Sequence, residues 1–364
     1  MTAITLIIIL GILIFVHELG HFLVAKKSGI RVDEFALGFP PKIISKKVGE
    51  TEYKLNLIPL GGYVKIHGED GDPENNKEID PKRTFANQKN WIKIAVLSAG
   101  ILGNIIFAWI LLSFGFMFGL PAGNAGIFSD RVKDNRVIIQ EVLIGSPAEK
   151  IGLKVGDEII SANNEKQTSA DKSLSVDGVK NVIETSSDKI KLEIKRQEEK
   201  LNFEILPEIK DGGAKKVGIA MAEFGTLKLP FYLAPIASVK ATYLMTKETA
   251  FGISGLIKEA VLGKANWSSV SGPIGIAGMV GKAKAEGFSY LIVLISLISV
   301  NLAVINLIPI PALDGGRILF VIIEAITRKP IKTKIAQTVN TIGFLLLMLL
   351  MLVVTYKDIV KLIK

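Results

Sequence analysis

Apolar positions along this chain gather into four long runs separated by stretches of mixed pattern, and the lengths of the runs set the architecture. Residues 1–24, 91–119, 288–313 and 336–357 are dominated by Leu, Ile, Val, Phe and Gly and carry few charges. About 20 such residues, at 1.5 Å rise each, cross the hydrocarbon core of a bilayer, so each run predicts a transmembrane helix. The first is almost unbroken from Ala3 to Phe15. Residues 25–90 form a polar connection rich in Lys and Arg. Within it Tyr53, Leu55 and Leu57 alternate with polar neighbours, Pro59, Gly61 and Gly62 interrupt, and Tyr63, Val64 and Ile66 follow. That period of two around a Gly-Gly break predicts a β-hairpin or short sheet, membrane-associated, with its turn at Gly61–Gly62. Leu57 is expected to be one of its backbone-pairing residues.

A different pattern fills residues 127–225. Val137–Val142 reads as a strand, Ser146–Glu165 as a short helix, a Gly turn and a strand, and Val176–Thr185 as a helix. Lys189–Ile209 reads as a two-stranded hairpin turning between Arg196 and Glu199. Residues 226–287 are moderately apolar; there Pro230–Leu262 predicts an amphipathic helix at the membrane surface, and Ser271–Met279 is too short and Gly-rich to span. Residues 314–335 read as a short basic connection. The expected fold class is therefore a polytopic α-helical membrane protein of four transmembrane helices, with a cytoplasmic-side β-hairpin or sheet and an inserted α+β domain.

Composition supports this frame: 49% hydrophobic residues and a mean hydropathy of +0.41 are too apolar for an ordinary soluble enzyme, while 22% charged residues require sizeable wet parts. The net charge of +9 comes with no Arg-rich groove or aromatic-basic motif and is concentrated beside the apolar runs, so nucleic acid is not an expected partner. The positive-inside rule explains it better, placing residues 25–90 and 314–335 in the cytoplasm and residues 127–225 with both termini outside. The lysines of the C-terminal tail weigh against that orientation. Cysteine is absent, which excludes disulfides and thiolate metal ligands. No basic n-region or small-residue cleavage site marks the N-terminus, so the first helix is expected to be retained.

The chemistry is concentrated in the first run. His17, Glu18 and His21 form an HExxH motif inside it. Residues four apart share a helix face, so both imidazoles can reach one Zn²⁺ while Glu18 stands beside them to take a proton from water. Lipid offers such groups no partner, so an ionisable cluster here points to function. Asp314 is the one acid at the end of the third run, after the helix breakers Pro309 and Pro311 and before Gly315 and Gly316. Alone it reads as a turn cap; beside HExxH it becomes the expected third metal ligand, because catalytic zinc takes three protein ligands. Asn104, within the second run near the small residues Ser98, Ala99, Gly100 and Gly103, is expected to make an interhelical hydrogen bond. The remaining histidine, His67, reads as a solvated loop residue. The acids of Glu69–Arg83 lack EF-hand spacing and do not predict a calcium site.

Taken together, HELGH, ALGFPPKI (Ala36–Ile43), LIPLGGYVKI (Leu57–Ile66), SGPIGIA (Ser271–Ala277) and NLIPIPALDGG (Asn306–Gly316) resemble the site-2 protease family of intramembrane zinc metalloproteases. The likeness is closest to the bacterial regulator-of-sigma-E protease RseP group and covers nearly the whole chain. SPAEKIGLKVGDEIISANN resembles a bacterial-type PDZ domain, one unit where some members carry two. The resemblance implies His17, His21 and Asp314 as zinc ligands, Glu18 as the catalytic glutamate and Asn306 as a substrate-handling residue. It also implies the bacterial inner membrane as location and single-span membrane proteins, such as a pre-trimmed anti-sigma factor or signal-peptide remnants, as substrates. Substrate contacts are expected further at Leu57, Gly61, Gly62 and Tyr63, through strand addition to the hairpin, and a peptide C-terminus is expected at the PDZ-like module. The competing expectation is a membrane-anchored PDZ scaffold with a non-catalytic metal site; the presence of all four metal-site residues counts against it.

Overall fold

The computed structural model describes residues 2–69, 80–123, 128–163, 175–186, 188–196, 199–209, 215–264 and 270–363. In chain order these form α1 (Thr2–Lys27), β1 (Val32–Val48), β2 (Thr51–Ile66), α2 (Asn90–Phe118), β3 (Leu120–Gly123), β4 (Val132–Val142), α3 (Pro147–Lys150) and β5 (Glu158–Asn163). They continue with α4 (Val176–Thr185), β6 (Ile190–Arg196), β7 (Glu199–Ile205), β8 (Glu208–Ile209), β9 (Lys215–Lys216) and β10 (Ile219–Leu227). The last elements are α5 (Ala234–Val261), α6 (Pro273–Glu286), α7 (Phe288–Leu307), α8 (Asp314–Thr327) and α9 (Thr333–Ile363). Two compact units result, residues 1–115 with 231–364, and residues 116–230.

In the first unit, α1, α2, α7 and α9 are long and apolar enough to cross a membrane, as the four apolar runs predict. The third run stops being helical at Leu307, earlier than its apolar pattern, because Ile308 turns extended ahead of Pro309. What reads in sequence as a basic connection after Asp314 is largely the helix α8, whose apolar residues include the buried Val321. Over the stretch expected to form an amphipathic surface helix, α5 packs Met245, Ala250 and Ile253 towards Val300, Val304 and Ala108, while Ile236, Val239, Tyr243 and Phe251 are exposed, so its apolar side chains are not confined to one face. The Ser271–Met279 stretch opens α6, and Asp358 of α9 accepts a hydrogen bond from Gly275 N (2.7 Å) in its first turn. A buried carboxylate there satisfies a backbone donor that a helix start leaves orphaned.

The β-hairpin is real but its turn lies elsewhere. β2 runs unbroken through Gly61 and Gly62, and the chain reverses at Gly49–Glu50, with Val48 opposite Thr51 and Ile44 opposite Leu55. Both strands bend, so residues 34–37 are flanked on two sides: Phe35 pairs with Val64 and also with Tyr53. The order across the sheet is thus 62–66, 34–37, 52–55, 44–48, with 62–66 at one edge. Phe35 fixes the sheet to α1 through edge contacts with Phe15 (5.7 Å between ring centroids) and Phe22 (5.3 Å). The far half of the sheet exposes Phe39, Ile43, Ile44, Leu57 and Ile58.

His67 also departs from expectation. It is 4% exposed, its Nδ1 is 2.9 Å from Asp33 Oδ2, and its carbonyl accepts from Phe85 N (2.8 Å). The polar sequence around it follows from the chain turning back at this point, with the histidine itself clamped beneath. Most of the acidic stretch after it, residues 70–79, lies outside the described residues.

The second unit is built on a six-stranded sheet in the order β3-β10-β4-β5-β6-β7. Alternation places Ile190, Leu192 and Ile194 of β6 inside, against Val179, Val182 and Ile183 of α4. Ser146 and Ser175 cap α3 and α4 through their hydroxyls, to Glu149 N (3.3 Å) and Gly178 N (3.0 Å). The strands and helices expected over 127–225 are all present. β3 and β10, which close the sheet, were not anticipated because Leu120–Gly123 is too short to show a period. The hairpin turn between Arg196 and Glu199 falls at residues 197–198, outside the described residues. β3 pairs only with Phe224–Leu227, so residues 219–223 have a strand on one side alone among the described residues.

Candidate functional site

α1 carries His17 and His21 on one face, buried at 8% and 7% exposure. α8 begins at Asp314, whose position depends on the loop before it. Ala312 there holds a positive φ of 73°, a conformation disfavoured for a residue with a Cβ, and its N–H donates to Asn340 Oδ1 of α9 (3.3 Å). The result brings three ligand atoms together: His17 Nε2 and His21 Nε2 are 3.2 Å apart, and Asp314 Oδ2 is 3.0 Å from the first and 3.3 Å from the second.

Protonation decides what that triangle is. His21 Nδ1 lies 2.8 Å from Val96 O, which can only accept, so in the neutral ring the proton belongs on Nδ1 and Nε2 is the nitrogen able to ligate a metal. Asp314 Oδ2 is buried and receives no hydrogen bond. Acceptor atoms facing one another this closely call for a shared cation. The edges of a tetrahedron with bonds of about 2.0 to 2.1 Å measure about 3.3 Å, which matches the observed separations, and a two-His, one-carboxylate set is a catalytic zinc arrangement. Among the described residues this is the one group of three metal-ligating side chains close enough to share an ion.

α2 frames the other side. Gly100 faces both imidazoles: a Cβ there would lie 2.3 Å from His21 Nε2 and 2.8 Å from His17 Cε1. Asn104, fully buried, places its Nδ2 3.5 Å from His17 Nδ1, and its carbonyl accepts from Ser299 Oγ of α7 (2.8 Å). The interhelical bond expected of Asn104 therefore reaches a histidine of the candidate metal triangle. Neither this nor the Val96 contact is marked in the sequence.

The triangle opens into a cavity of about 580 Å³ that Glu18, Asn306, Arg317 and residues 61–66 also line. Gly62 comes so close that a Cβ would lie 3.4 Å from Glu18 Cγ and 2.9 Å from Ala36 O. Of the expected substrate residues, Asn306, Gly61, Gly62 and Tyr63 are at this cavity. Leu57 is not; it is exposed on the far half of the sheet. Arg317, one turn after Asp314 and ion-paired with Glu69, was not singled out in sequence. Under Tyr63, burial would raise the Glu34 carboxyl, but hydrogen bonds from Lys54 (2.6 Å) and the Tyr63 hydroxyl (2.9 Å) outweigh it and hold it below its ordinary value.

A second cavity, about 230 Å³, belongs to residues 116–230 and is lined by Lys180 and Ile183 of α4 and by Gly218, Ile219 and Met221. It lies along the part of β10 that has a neighbour on one side alone.

Residues 5–350 match the sequence model described as peptidase family M50. A Clostridium perfringens protein, named as a candidate zinc metalloprotease, is 37% identical over 96% of this chain and 95% of its own length. The regulator of sigma-W protease RasP of Bacillus subtilis is 32% identical over 99% of both chains. The zinc metalloprotease RasP of Bacillus licheniformis is 31% identical, again over 99% of both.

Proposed function

The chain belongs to peptidase family M50, the site-2 protease family, and is a zinc metalloprotease; on that premise we propose that it cuts single-span membrane proteins within the bilayer. The observation that carries the reading is the shared cavity, where the metal triangle, Glu18 and the sheet edge 61–66 meet. Bound zinc supplies a polarised water at neutral pH. Glu18 takes a proton from the attacking water and passes it to the departing amine nitrogen, while His17, His21 and Asp314 hold the ion. A transmembrane substrate must leave its helix before a peptide bond is open to attack. Edge 61–66 has no strand on its outer side among the described residues, and a substrate lying there as an added strand regains backbone hydrogen bonds beside Glu18.

Location and selection complete the proposal. Lys26 and Lys27 end α1, and Arg328, Lys329, Lys332 and Lys334 lie at the junction of α8 and α9, so the positive-inside rule favours the metal end of the helices on the cytoplasmic side of a bacterial inner membrane. The apolar outer half of the sheet, with Ile43, Ile44 and Leu57 beside Lys42 and Lys46, suits the bilayer interface. Residues 127–225 act as an extracytoplasmic PDZ-type module. The cavity along residues 217–221 would receive an extended peptide end and admit substrates only after their outer domains are trimmed, as for an anti-sigma factor.

The test is Glu18→Gln in the purified protein, assayed with a single-span substrate in liposomes. Zinc content should stay at wild-type level while cleavage falls by about 10²- to 10⁴-fold or more. Near-normal turnover in this variant would overturn the mechanism.

A further inference from the structure

We propose that Asn104 is a positioning residue for the metal centre: its amide holds the His17 ring in the Nδ1–H tautomer and so keeps Nε2 aimed at the ion. The starting point is an imbalance. Asn104 is fully buried at mid-helix in α2, its Oδ1 has no hydrogen-bond partner, and its Nδ2 faces His17 Nδ1 at 3.5 Å. A buried amide oxygen without a hydrogen-bond partner carries an uncompensated desolvation penalty, so such a placement calls for a compensating contact. The two ends of an amide exchange by a half-turn about χ2, and which end points where is assigned from the network.

The two orientations have opposite consequences for the site. With Nδ2 towards His17, Nδ1 must accept and the ring proton moves to Nε2, which stands 3.0 Å from Asp314 Oδ2 and 3.2 Å from His21 Nε2, where the cation belongs. With Oδ1 towards His17, Nδ1–H donates, the orphaned oxygen is satisfied, and Nε2 presents a lone pair.

His21 is treated the same way by the same helix. Its Nδ1 is held by Val96 O, and Val96, Gly100 and Asn104 follow one another at intervals of four along α2. The helix thus offers α1 an acceptor, a gap and an amide in succession: the acceptor orients His21, the gap admits both rings, and the amide orients His17. Ser299 Oγ of α7 donates to the Asn104 backbone oxygen (2.8 Å), a contact that does not involve the side-chain amide. Outer-shell partners that fix a ligand histidine typically set metal affinity by 10- to 100-fold.

The experiment measures zinc affinity of the full-length protein in detergent by competition with a chromogenic chelator, independent of proteolysis. Asn104→Leu, similar in size with no acceptor, should weaken zinc binding by about 10- to 100-fold. Asn104→Asp, which keeps an acceptor oxygen, should restore most of the affinity. Ser299→Ala, which loosens the α2–α7 contact without touching the imidazole, should leave it unchanged. Wild-type affinity in Asn104→Leu overturns the proposal. So does a loss in Ser299→Ala equal to that in Asn104→Leu, or an Asn104→Asp as weak as Asn104→Leu, since either makes the asparagine a packing element only.

Discussion

Gly100 illustrates how the metal centre depends on single residues outside it. The space it leaves is occupied by the ligand imidazoles, and a Cβ would meet His21 Nε2 at 2.3 Å, closer than any non-bonded contact. Gly100→Ala should therefore push α2 from α1 or turn the rings, and zinc affinity should fall at least about tenfold, as for other changes that disturb ligand orientation. Elemental analysis alongside His21→Ala, which removes a ligand outright, provides the scale; undiminished zinc in Gly100→Ala would mean that the helices tolerate separation. The histidines and Glu18 were legible in sequence because their spacing is local to one helix. Val96 was not, since it acts through its carbonyl, a group every residue has. His67 misled for a related reason: a polar neighbourhood suggests solvent, while burial depends on Asp33 and Phe85, which the fold brings to it from either side in sequence.

At the scale of elements, the proposed substrate edge belongs to the sheet formed by β1 and β2. Alternation identified strand character in residues 51–66, but the edge belongs to whichever segment is left without a neighbour after folding, and that is 61–66. The chain has no cysteine, so single introduced cysteines report proximity without background. In a Glu18→Gln protein, Lys65→Cys should form disulfides with substrate cysteines placed near the cleavage point at every second residue, the period of a strand. Leu57→Cys, on the far half of the sheet, should form none; the reverse pattern would move the docking edge. The same sheet should be acid-sensitive. Because Glu34 is held below its ordinary value of 4.5, its contribution to stability is present above that pH and is lost as pH falls through the lower folded value. Thermal scans should show the loss below about pH 4.5 in the wild type and a flatter acid limb in Glu34→Gln.

For the whole molecule, the insertion of residues 116–230 has closely spaced ends: Leu229 N donates to Phe116 O (2.8 Å), and Leu120 pairs with Leu227. A short flexible linker in place of residues 124–223 can therefore close the neck without stretching it. Such a protein should bind zinc and cut a pre-trimmed substrate at close to the wild-type rate, and it should also cut the untrimmed one. Retained discrimination between the two would remove the filter role from the insertion. By itself the sequence determined the four apolar helices, the central strands and helices of the insertion, β4 to β7, and the two histidines of the candidate metal site. Each of these follows from period, length or spacing within one segment. Asp314 could be named as the histidines' companion only by the chemistry of a three-ligand site; only the tertiary structure decided how closely it approaches His17 and His21, that α8 begins there, that the free sheet edge is 61–66, and that Val96 and Asn104 stand behind the two rings. Those outcomes join residues from about 25 to about 300 positions apart, and they depend on helix crossing, strand bending and the removal of buried polar groups from water, which no local pattern encodes.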